Sequence, residues 1–143
     1  MSILAYDGKI IAADRQATRG GSRCTCKKLL KVDGIVVGWV GVQVHGLVMM
    51  DWFFSGAKPS EFPDLGEERE SCTRLIVATR RGLDVYEQSH RAMSYVDKFQ
   101  AFGSGMDLAM GAMAAGASAI EAVKITCKYD INCGMGVDWF EVR

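Results

Sequence analysis

The chain has 143 residues, of which 49% are hydrophobic and 24% charged, a balance typical of a globular protein with a sizeable core. Its 17 basic and 17 acidic residues cancel, so we expect no general attraction to nucleic acid or to an anionic membrane. No apolar stretch approaches the ~20 residues of a membrane span, and the first residues lack the pattern of a secretory signal. With only 2 prolines and 5 unevenly spaced cysteines, we predict a single domain over residues 1–143, free thiols and a cytoplasmic location.

The first residues predict a tight β-hairpin. The apolar runs Ser2–Tyr6 and Lys9–Ala13 flank Asp7-Gly8, and Asp-Gly between two such runs is a strong hairpin signal. If Met1 is removed, Ser2 carries a hydroxyl and a free α-amine on one residue. Such a residue is a nucleophile that supplies its own base.

A second hairpin is predicted after a polar loop at Thr18–Arg23. Its strands are Cys26–Val32 and Ile35–Val40, with a corner at Asp33-Gly34. The two hairpins together predict one antiparallel sheet.

Helical spacing begins after Gly41. Apolar residues between positions 42 and 53 recur at the period of an α-helix, which Gly56 can end. The stretch Ala57–Ser71 contains two prolines and a glycine among charges and predicts a loop.

The second half of the chain predicts strands followed by two helices and a last strand. The predicted strands are Arg74–Thr79, Leu83–Gln88, Tyr95–Phe102 and Val137–Val142. The predicted helices are Met106–Ala115, which we expect to be buried, and one that a Ser118/Glu121 capping box opens and that ends near Lys128. Strands and helices are segregated along the chain, which indicates an α+β layered fold.

An N-terminal serine nucleophile has further requirements. It needs an ammonium group that disfavours a charge on its amine, a carboxylate that holds this ammonium, and N–H donors for the developing oxyanion. Candidates occur at or near the ends of predicted elements: Asp14, Lys28, Gly41 and Ser104.

Five motifs in order resemble those of the proteasome β-subunit and the bacterial HslV peptidase, which are N-terminal-nucleophile hydrolases. The resemblance covers nearly the whole chain. The motifs are the run from Ile11 to Thr18, Lys27-Lys28-Leu29-Leu30, Val37-Gly38-Trp39-Val40-Gly41, Ala101-Phe102-Gly103-Ser104-Gly105, and Asp130-Ile131-Asn132-Cys133-Gly134, in which Cys133 takes the place of a serine.

The resemblance implies a four-layer αββα sandwich, shortened by one helix because the segment between Gly56 and Cys72 is too short for it. It also implies peptide hydrolysis without a metal or organic cofactor, a peptide or unfolded-protein substrate, a homo-oligomer and an ATP-dependent unfoldase partner. The implied site consists of the nucleophile Ser2, Asp14 holding Lys28, Ser104 and Asp130 orienting the α-amine, and the oxyanion donor Gly41.

Other interpretations remain open at this point. The chain could be a catalytically inactive relative that serves as an assembly or binding module. Lys28 could be a solvated strand lysine, Asp14 a turn former and Ser104 a helix cap. The spacing of Cys24-Thr25-Cys26 does not suit a zinc-binding pair.

Overall fold

The computed structural model describes residues 2–66 and 72–142 and shows a mixed α+β fold. The strands of the described residues are β1 (Ile3–Tyr6), β2 (Ile10–Asp14), β3 (Gln16–Arg19), β4 (Ser22–Thr25), β5 (Leu29–Val32), β6 (Ile35–Val40), β7 (Arg74–Thr79), β8 (Gly82–Tyr86), β9 (Met93–Tyr95), β10 (Gln100–Gly103) and β11 (Val137–Glu141). The helices are α1 (Gln43–Phe54), α2 (Met106–Ala114) and α3 (Ala119–Tyr129), with a short 3₁₀ turn at Pro59–Glu61.

The strands form two antiparallel sheets and a separate ribbon. The first sheet has the order β10-β1-β2-β11, and the second has the order β5-β6-β7-β8-β9. The ribbon consists of β3 and β4 alone. The two hairpins β1–β2 and β5–β6 therefore belong to different sheets, so the prediction of one sheet for both is wrong.

Three hydrophobic clusters hold these elements together. One contains buried residues of both sheets, among them Leu4 and Ile11 of the first and Val36 and Ile76 of the second. Another joins the opposite face of the first sheet to α2 and α3. The third joins the opposite face of the second sheet to α1. Each sheet is thus in contact with apolar side chains on both of its faces.

The first hairpin places Asp14 in the middle of the molecule. In the register of β1 and β2, Leu4 lies opposite Ala13, and in that of β2 and β11, Val137 lies opposite Asp14. Because β2 has a neighbour on each side, its last residue lies between the start of β1 and the start of β11.

The helix predictions are confirmed. Helix α1 ends before Gly56, whose φ of +111° suits glycine. Helix α3 has the predicted capping box, because the Glu121 N–H donates to Ser118 Oγ and the Ser118 N–H donates to the Glu121 carboxylate. Helix α2 buries only Ala109 and Met113 fully, so it is less buried than predicted. No helix in the described part of the chain is long and apolar enough to cross a membrane.

Two strand predictions need correction. The predicted loop Thr18–Arg23 is the corner of the β3–β4 hairpin, which sequence periodicity missed because every residue of β4 is exposed and the strand has no apolar face. The predicted strand Tyr95–Phe102 is two strands, because Tyr95 pairs with β8 of the second sheet and Gln100 with β1 of the first.

Two further boundaries differ from the predictions. Strand β5 begins at Leu29 and not at Cys26, so Lys28 directly precedes the strand. Its carbonyl still accepts a hydrogen bond from the Trp39 N–H at 3.2 Å, which fixes its position beside β6. The predicted loop Ala57–Ser71 contains the 3₁₀ turn, and its residues 67–71 lie outside the described residues.

Candidate active site

A buried carboxylate, Asp14, lies at the centre of the site. Its Oδ1 accepts a hydrogen bond from Lys28 Nζ at 2.6 Å and another from the Ile3 N–H at 3.1 Å. Its Oδ2 accepts from the N–H groups of Gln16 and Gly134, both at 3.1 Å. Four hydrogen-bond donors, one of them a charged ammonium, therefore surround this carboxylate and fix its position.

Lys28 is buried together with its partner. The side chains of Lys28 and Asp14 are 1% and 0% exposed, although lysine is almost never fully buried without a partner. Because one Asp14 oxygen accepts from both Lys28 and the Ile3 N–H, the ammonium lies next to the peptide that joins Ser2 to Ile3. The fold thus places a fixed positive charge beside the predicted nucleophile.

Ser2 and Lys28 share a cavity of about 280 Å³. Ser2 itself is only 2% exposed, and it shares the wall of this cavity with the buried Lys28. Two strands and the start of a helix supply the wall, which consists of Ser2, Gln16, Ala17, Thr18, Lys28, Trp39, Gly41, Val42 and Gln43.

Gly41 lies in the wall of this cavity, at the junction of β6 and α1. Its φ is +107°, and a Cβ there would lie 2.7 Å from the Thr73 Cα. The Thr73 hydroxyl accepts a hydrogen bond from the Val42 N–H at 3.0 Å and so fixes the junction. Glycine is required at position 41 because the backbone conformation and the close neighbour both exclude a side chain.

The segment 103–105 surrounds the carbonyl oxygen of Ser2. Ser104 Oγ donates to this oxygen at 3.4 Å, and the Gly105 N–H donates to it at 3.3 Å. A Cβ at Gly103, whose φ is +106°, would lie 2.1 Å from the same oxygen. Ser104 therefore contacts Ser2 through its carbonyl group, whereas the predicted role of Ser104 concerns the α-amine of Ser2.

Asp130 is linked to Ser104 through Cys133. The Cys133 thiol donates to Asp130 Oδ2 at 3.6 Å and lies 4.0 Å from Ser104 Oγ. Burial raises the pKa of the Cys133 thiol to about 12, and the negative charges of Asp14 and Asp130 add to this effect. The thiol is thus protonated at neutral pH and can donate where a serine hydroxyl would.

Gln16 and Trp39 are site residues that sequence reasoning missed. Gln16 Nε2 donates to the Ile131 carbonyl at 3.1 Å and so connects β3 to the loop after α3. A glutamine after a strand and a tryptophan within one carry no signal of such a role. Their place in the site is seen only in the structure, where both residues line the cavity.

Neither the histidines nor Cys24 line the cavity that holds Ser2 and Lys28. A larger cavity of about 610 Å³ between α3 and β11 shares Cys133 and Gly134 with the site, and neither Ser2 nor Lys28 lines it. Cys24 is exposed, His90 is exposed and His45 is half-buried. Across residues 2–66 and 72–142, no group of His, Cys, Asp and Glu side chains could hold a metal ion.

Comparison with solved structures identifies the class of fold. Two structures of BPH from Thiobacillus denitrificans, a proteasome-like bacterial protein, are similar with a TM-score of 0.74 and 22% identity; one of them is a complex with epoxomicin. These matches cover 100% of this chain and 100% and 99% of theirs. Eukaryotic HslV from Trypanosoma brucei has a TM-score of 0.71 and 20% identity, over 98% of this chain and 97% of that chain.

The chain therefore has the fold of the proteasome β-subunit and HslV, the fold of N-terminal-nucleophile hydrolases. The sequence itself matches no protein-family model and no curated protein.

Proposed function

We propose that this protein is an N-terminal-nucleophile peptidase whose nucleophile is Ser2, exposed by the removal of Met1. The observation that carries the proposal is the buried Lys28–Asp14 pair, which shares a cavity with Ser2. Burying a lysine is costly even when its charge is paired, because desolvation opposes the pairing. We therefore take the buried Lys28 charge as a sign that it serves the chemistry of Ser2. The fold of the solved structures described above is consistent with this chemistry.

The reaction begins with attack of Ser2 Oγ on a peptide carbonyl carbon. The α-amine of Ser2 accepts the hydroxyl proton and passes it to the leaving amine, so that an ester between Ser2 and the acyl part of the substrate remains. Water then hydrolyses this ester and frees the hydroxyl. The Lys28 ammonium favours the neutral form of the nearby amine, and the Gly41 N–H is the donor for the oxyanion.

Ser104, Cys133 and Asp130 position Ser2 in this scheme. Ser104 contacts the Ser2 carbonyl group, and Cys133 connects Ser104 to the Asp130 carboxylate. The three residues thereby hold the first residue of the mature chain in one orientation, with its amine near its own hydroxyl.

The helices and sheets would stack as a four-layer αββα sandwich in one proteasome-like domain, and the three hydrophobic clusters support this order. We also expect a homo-oligomer in the cytoplasm. Helix α1 exposes Val44, Leu47 and Val48, which are 65%, 45% and 41% exposed, and apolar surface of this kind is typical of interfaces. The substrates would be peptides or unfolded proteins, delivered in the second case by an ATP-dependent unfoldase.

The decisive experiment compares three forms of the protein. Protein whose mass shows that Met1 is absent should cleave fluorogenic peptides, whereas Ser2→Ala should not. Protein with one residue added ahead of Ser2 should also be inactive, because its Ser2 nitrogen is an amide that cannot accept a proton. The exposed Ser60 provides a control, since Ser60→Ala should retain full activity.

Epoxomicin, which is bound in one of the BPH structures, gives a second readout. We expect it to bind the Met-free protein and not the extended one. If Met-free protein neither cleaves peptides nor binds epoxomicin, the alternative of an inactive assembly or binding module replaces the peptidase.

A further inference from the structure

The loop between α3 and β11 supplies two contacts of the candidate site from the far end of the chain. The Gly134 N–H donates to Asp14 Oδ2 at 3.1 Å. The thiol of the preceding residue, Cys133, lies 4.0 Å from the Ser104 hydroxyl, which contacts the Ser2 carbonyl group. The position of this loop therefore affects both the carboxylate at the centre of the site and the residue that would be the nucleophile.

The backbone of this loop has an unfavourable conformation. Met135 has a φ of +64°, and Gly136, the next residue, has a φ of +100°. A residue with a side chain rarely adopts a positive φ, and it keeps such a conformation only where the surrounding structure holds it. The loop therefore depends on contacts with neighbouring segments.

Arg15 makes several of these contacts. Its N–H is shared between the carbonyl groups of Gly134 and Gly136, at 3.0 and 3.1 Å. Its side chain covers Gly136, since a Cβ there would lie 3.4 Å from Arg15 Cδ. Its guanidinium donates from Nε to Asp138 Oδ1 at 2.8 Å, and Nη2 donates to the same oxygen. Arg15 thus holds both the loop and the strand β11 that follows it.

The ion pair between Arg15 and Asp138 is partly exposed. The side chain of Arg15 is 40% exposed and that of Asp138 is 20% exposed. Pairs with this much contact with solvent add little to the stability of a whole protein. Because this pair lies directly beside the loop, we expect its effect to be local, on the position of the loop.

We infer that Arg15 and Asp138 are positioning residues of the Ser2 site, which keep the Gly134 N–H on Asp14 and the Cys133 thiol beside Ser104. The inference rests on the proposed function, because it concerns the rate of the same reaction. A small displacement of groups that orient a nucleophile slows the chemical step. Substrate binding should change little, because Arg15 and Asp138 act through the loop and do not contact the substrate.

The first test measures the loop without any need for activity. Asp138→Asn keeps the size of the side chain and removes its charge. Hydrogen exchange of the full-length protein, followed by mass spectrometry, should be about two- to fivefold faster for residues 132–136, as expected from the loss of one partly exposed ion pair. The amides of β6 should exchange at the wild-type rate, because the effect is local.

A second ion pair provides the matched control. Arg74 Nε donates to Glu87 Oε1 at the same distance of 2.8 Å, and the side chains are 35% and 41% exposed. This pair joins β7 to the residue after β8 in the other sheet. Glu87→Gln should therefore leave the exchange of residues 132–136 unchanged.

A double-mutant cycle shows whether Arg15 and Asp138 act through each other. Arg15→Met removes the other end of the pair and should accelerate exchange of the loop as Asp138→Asn does. The two changes together should have about the effect of one, because the second removes a group that has already lost its partner. Since the two variants remove opposite ends of one pair, the exchange measurement is decisive even if one of them does not fold.

The second test separates the rate of the chemical step from binding. In Met-free protein, we expect Asp138→Asn to lower kcat severalfold and to change KM by less than about twofold. Unchanged exchange of the loop, equal acceleration in β6, or effects that multiply in the double variant overturn the inference. If the loop exchanges faster as expected but no form of the protein cleaves peptides, the positioning of the loop stands and the peptidase fails. If the variants cleave peptides with the wild-type kcat, the peptidase stands and the inference fails.

Discussion

The ammonium of Lys28 lies 2.6 Å from the Asp14 carboxylate, with both side chains buried. Removing one partner of such a pair leaves the other charge buried without compensation, which typically costs about 3–5 kcal/mol. The pair therefore links the stability of the core to the chemistry proposed for Ser2.

We predict that Lys28→Met lowers the free energy of unfolding by about 3–5 kcal/mol for this reason. It should also reduce peptide cleavage by about 10²–10⁴-fold, the usual effect of losing a group that assists proton transfer. Urea denaturation and a fluorogenic peptide assay measure the two effects. Lys27 is adjacent and exposed, so Lys27→Met should change neither quantity. A Lys28→Met protein with unchanged stability and activity would exclude the proposed role of the pair.

Gly103→Ala should damage the site through the backbone. Its φ of +106° alone costs a non-glycine residue about 1–3 kcal/mol. The new Cβ would also collide with the Ser2 carbonyl oxygen, which must shift. We expect loss of cleavage and a lower urea midpoint.

Gly111→Ala is the matched control for this substitution. Gly111 lies in α2, and a Cβ there has no neighbour within 4 Å. Because alanine favours the helix over glycine by about 0.5–1 kcal/mol, this variant should be slightly more stable and fully active. If Gly103→Ala behaved like Gly111→Ala, the segment around Ser2 would be more adaptable than the contacts indicate.

The Cys133 thiol predicts a dependence of stability on alkaline pH. Burial raises its pKa from 9.0 to about 12, so between these values the folded protein holds a proton that the unfolded chain has lost. The contribution of this thiol to the free energy of unfolding is then fully present below pH 9. It is lost as the pH rises towards 12, by about 1.4 kcal/mol per pH unit for one such group.

Comparison of Cys133→Ala with wild type isolates this effect. The free energy of unfolding, measured by urea denaturation from pH 8 to pH 10.5, should fall less steeply in the variant. Cys24 is exposed, so Cys24→Ala should follow the wild-type curve. Parallel curves for wild type and Cys133→Ala would show that the thiol titrates normally.

The exposed face of α1 predicts an effect on assembly. We expect the protein to form an oligomer at micromolar concentration, and the combined change Val44→Asp and Val48→Asp to lower its mass in light scattering. Charges on these positions would have to be buried in an interface, which is costly. Val96, which is 96% exposed, provides the control substitution Val96→Asp. A wild-type protein that is strictly monomeric would contradict the expectation.

Much of the fold could be predicted because several of its features depend only on residues within one short segment. The Asp7-Gly8 hairpin, the end of α1 at Gly56 and the capping box at Ser118 each depend on residues close in sequence. Strand β4 was missed because both of its faces are exposed and it has no alternation to detect. The change from one sheet to the other after Tyr95 depends on pairing with distant strands, which a local pattern does not contain.

The site residues divide in the same way, into those that a local motif indicates and those whose role depends on contacts between distant segments. The order of motifs pointed to Ser2, Asp14, Lys28, Gly41, Ser104 and Asp130, and the fold brings the first five of these close to one another or into one cavity wall. The contribution of Gln16 depends on its contact with Ile131, which is distant in sequence. That Ser104 contacts the Ser2 carbonyl group could not be predicted from a motif, because a motif gives the neighbourhood of a side chain and not the atom it contacts.

The four hydrogen bonds to Asp14 also have a consequence for the order of folding. Two donors, Ile3 and Gln16, are near Asp14 in the sequence, but the Gly134 N–H is 120 residues away. During synthesis on the ribosome, this last donor emerges long after the others, and closing so long a loop is slow. The carboxylate can thus accept all four hydrogen bonds only when the segment before β11 has docked. A nascent chain would remain without a finished nucleophile site until the segment around Gly134 has left the ribosome.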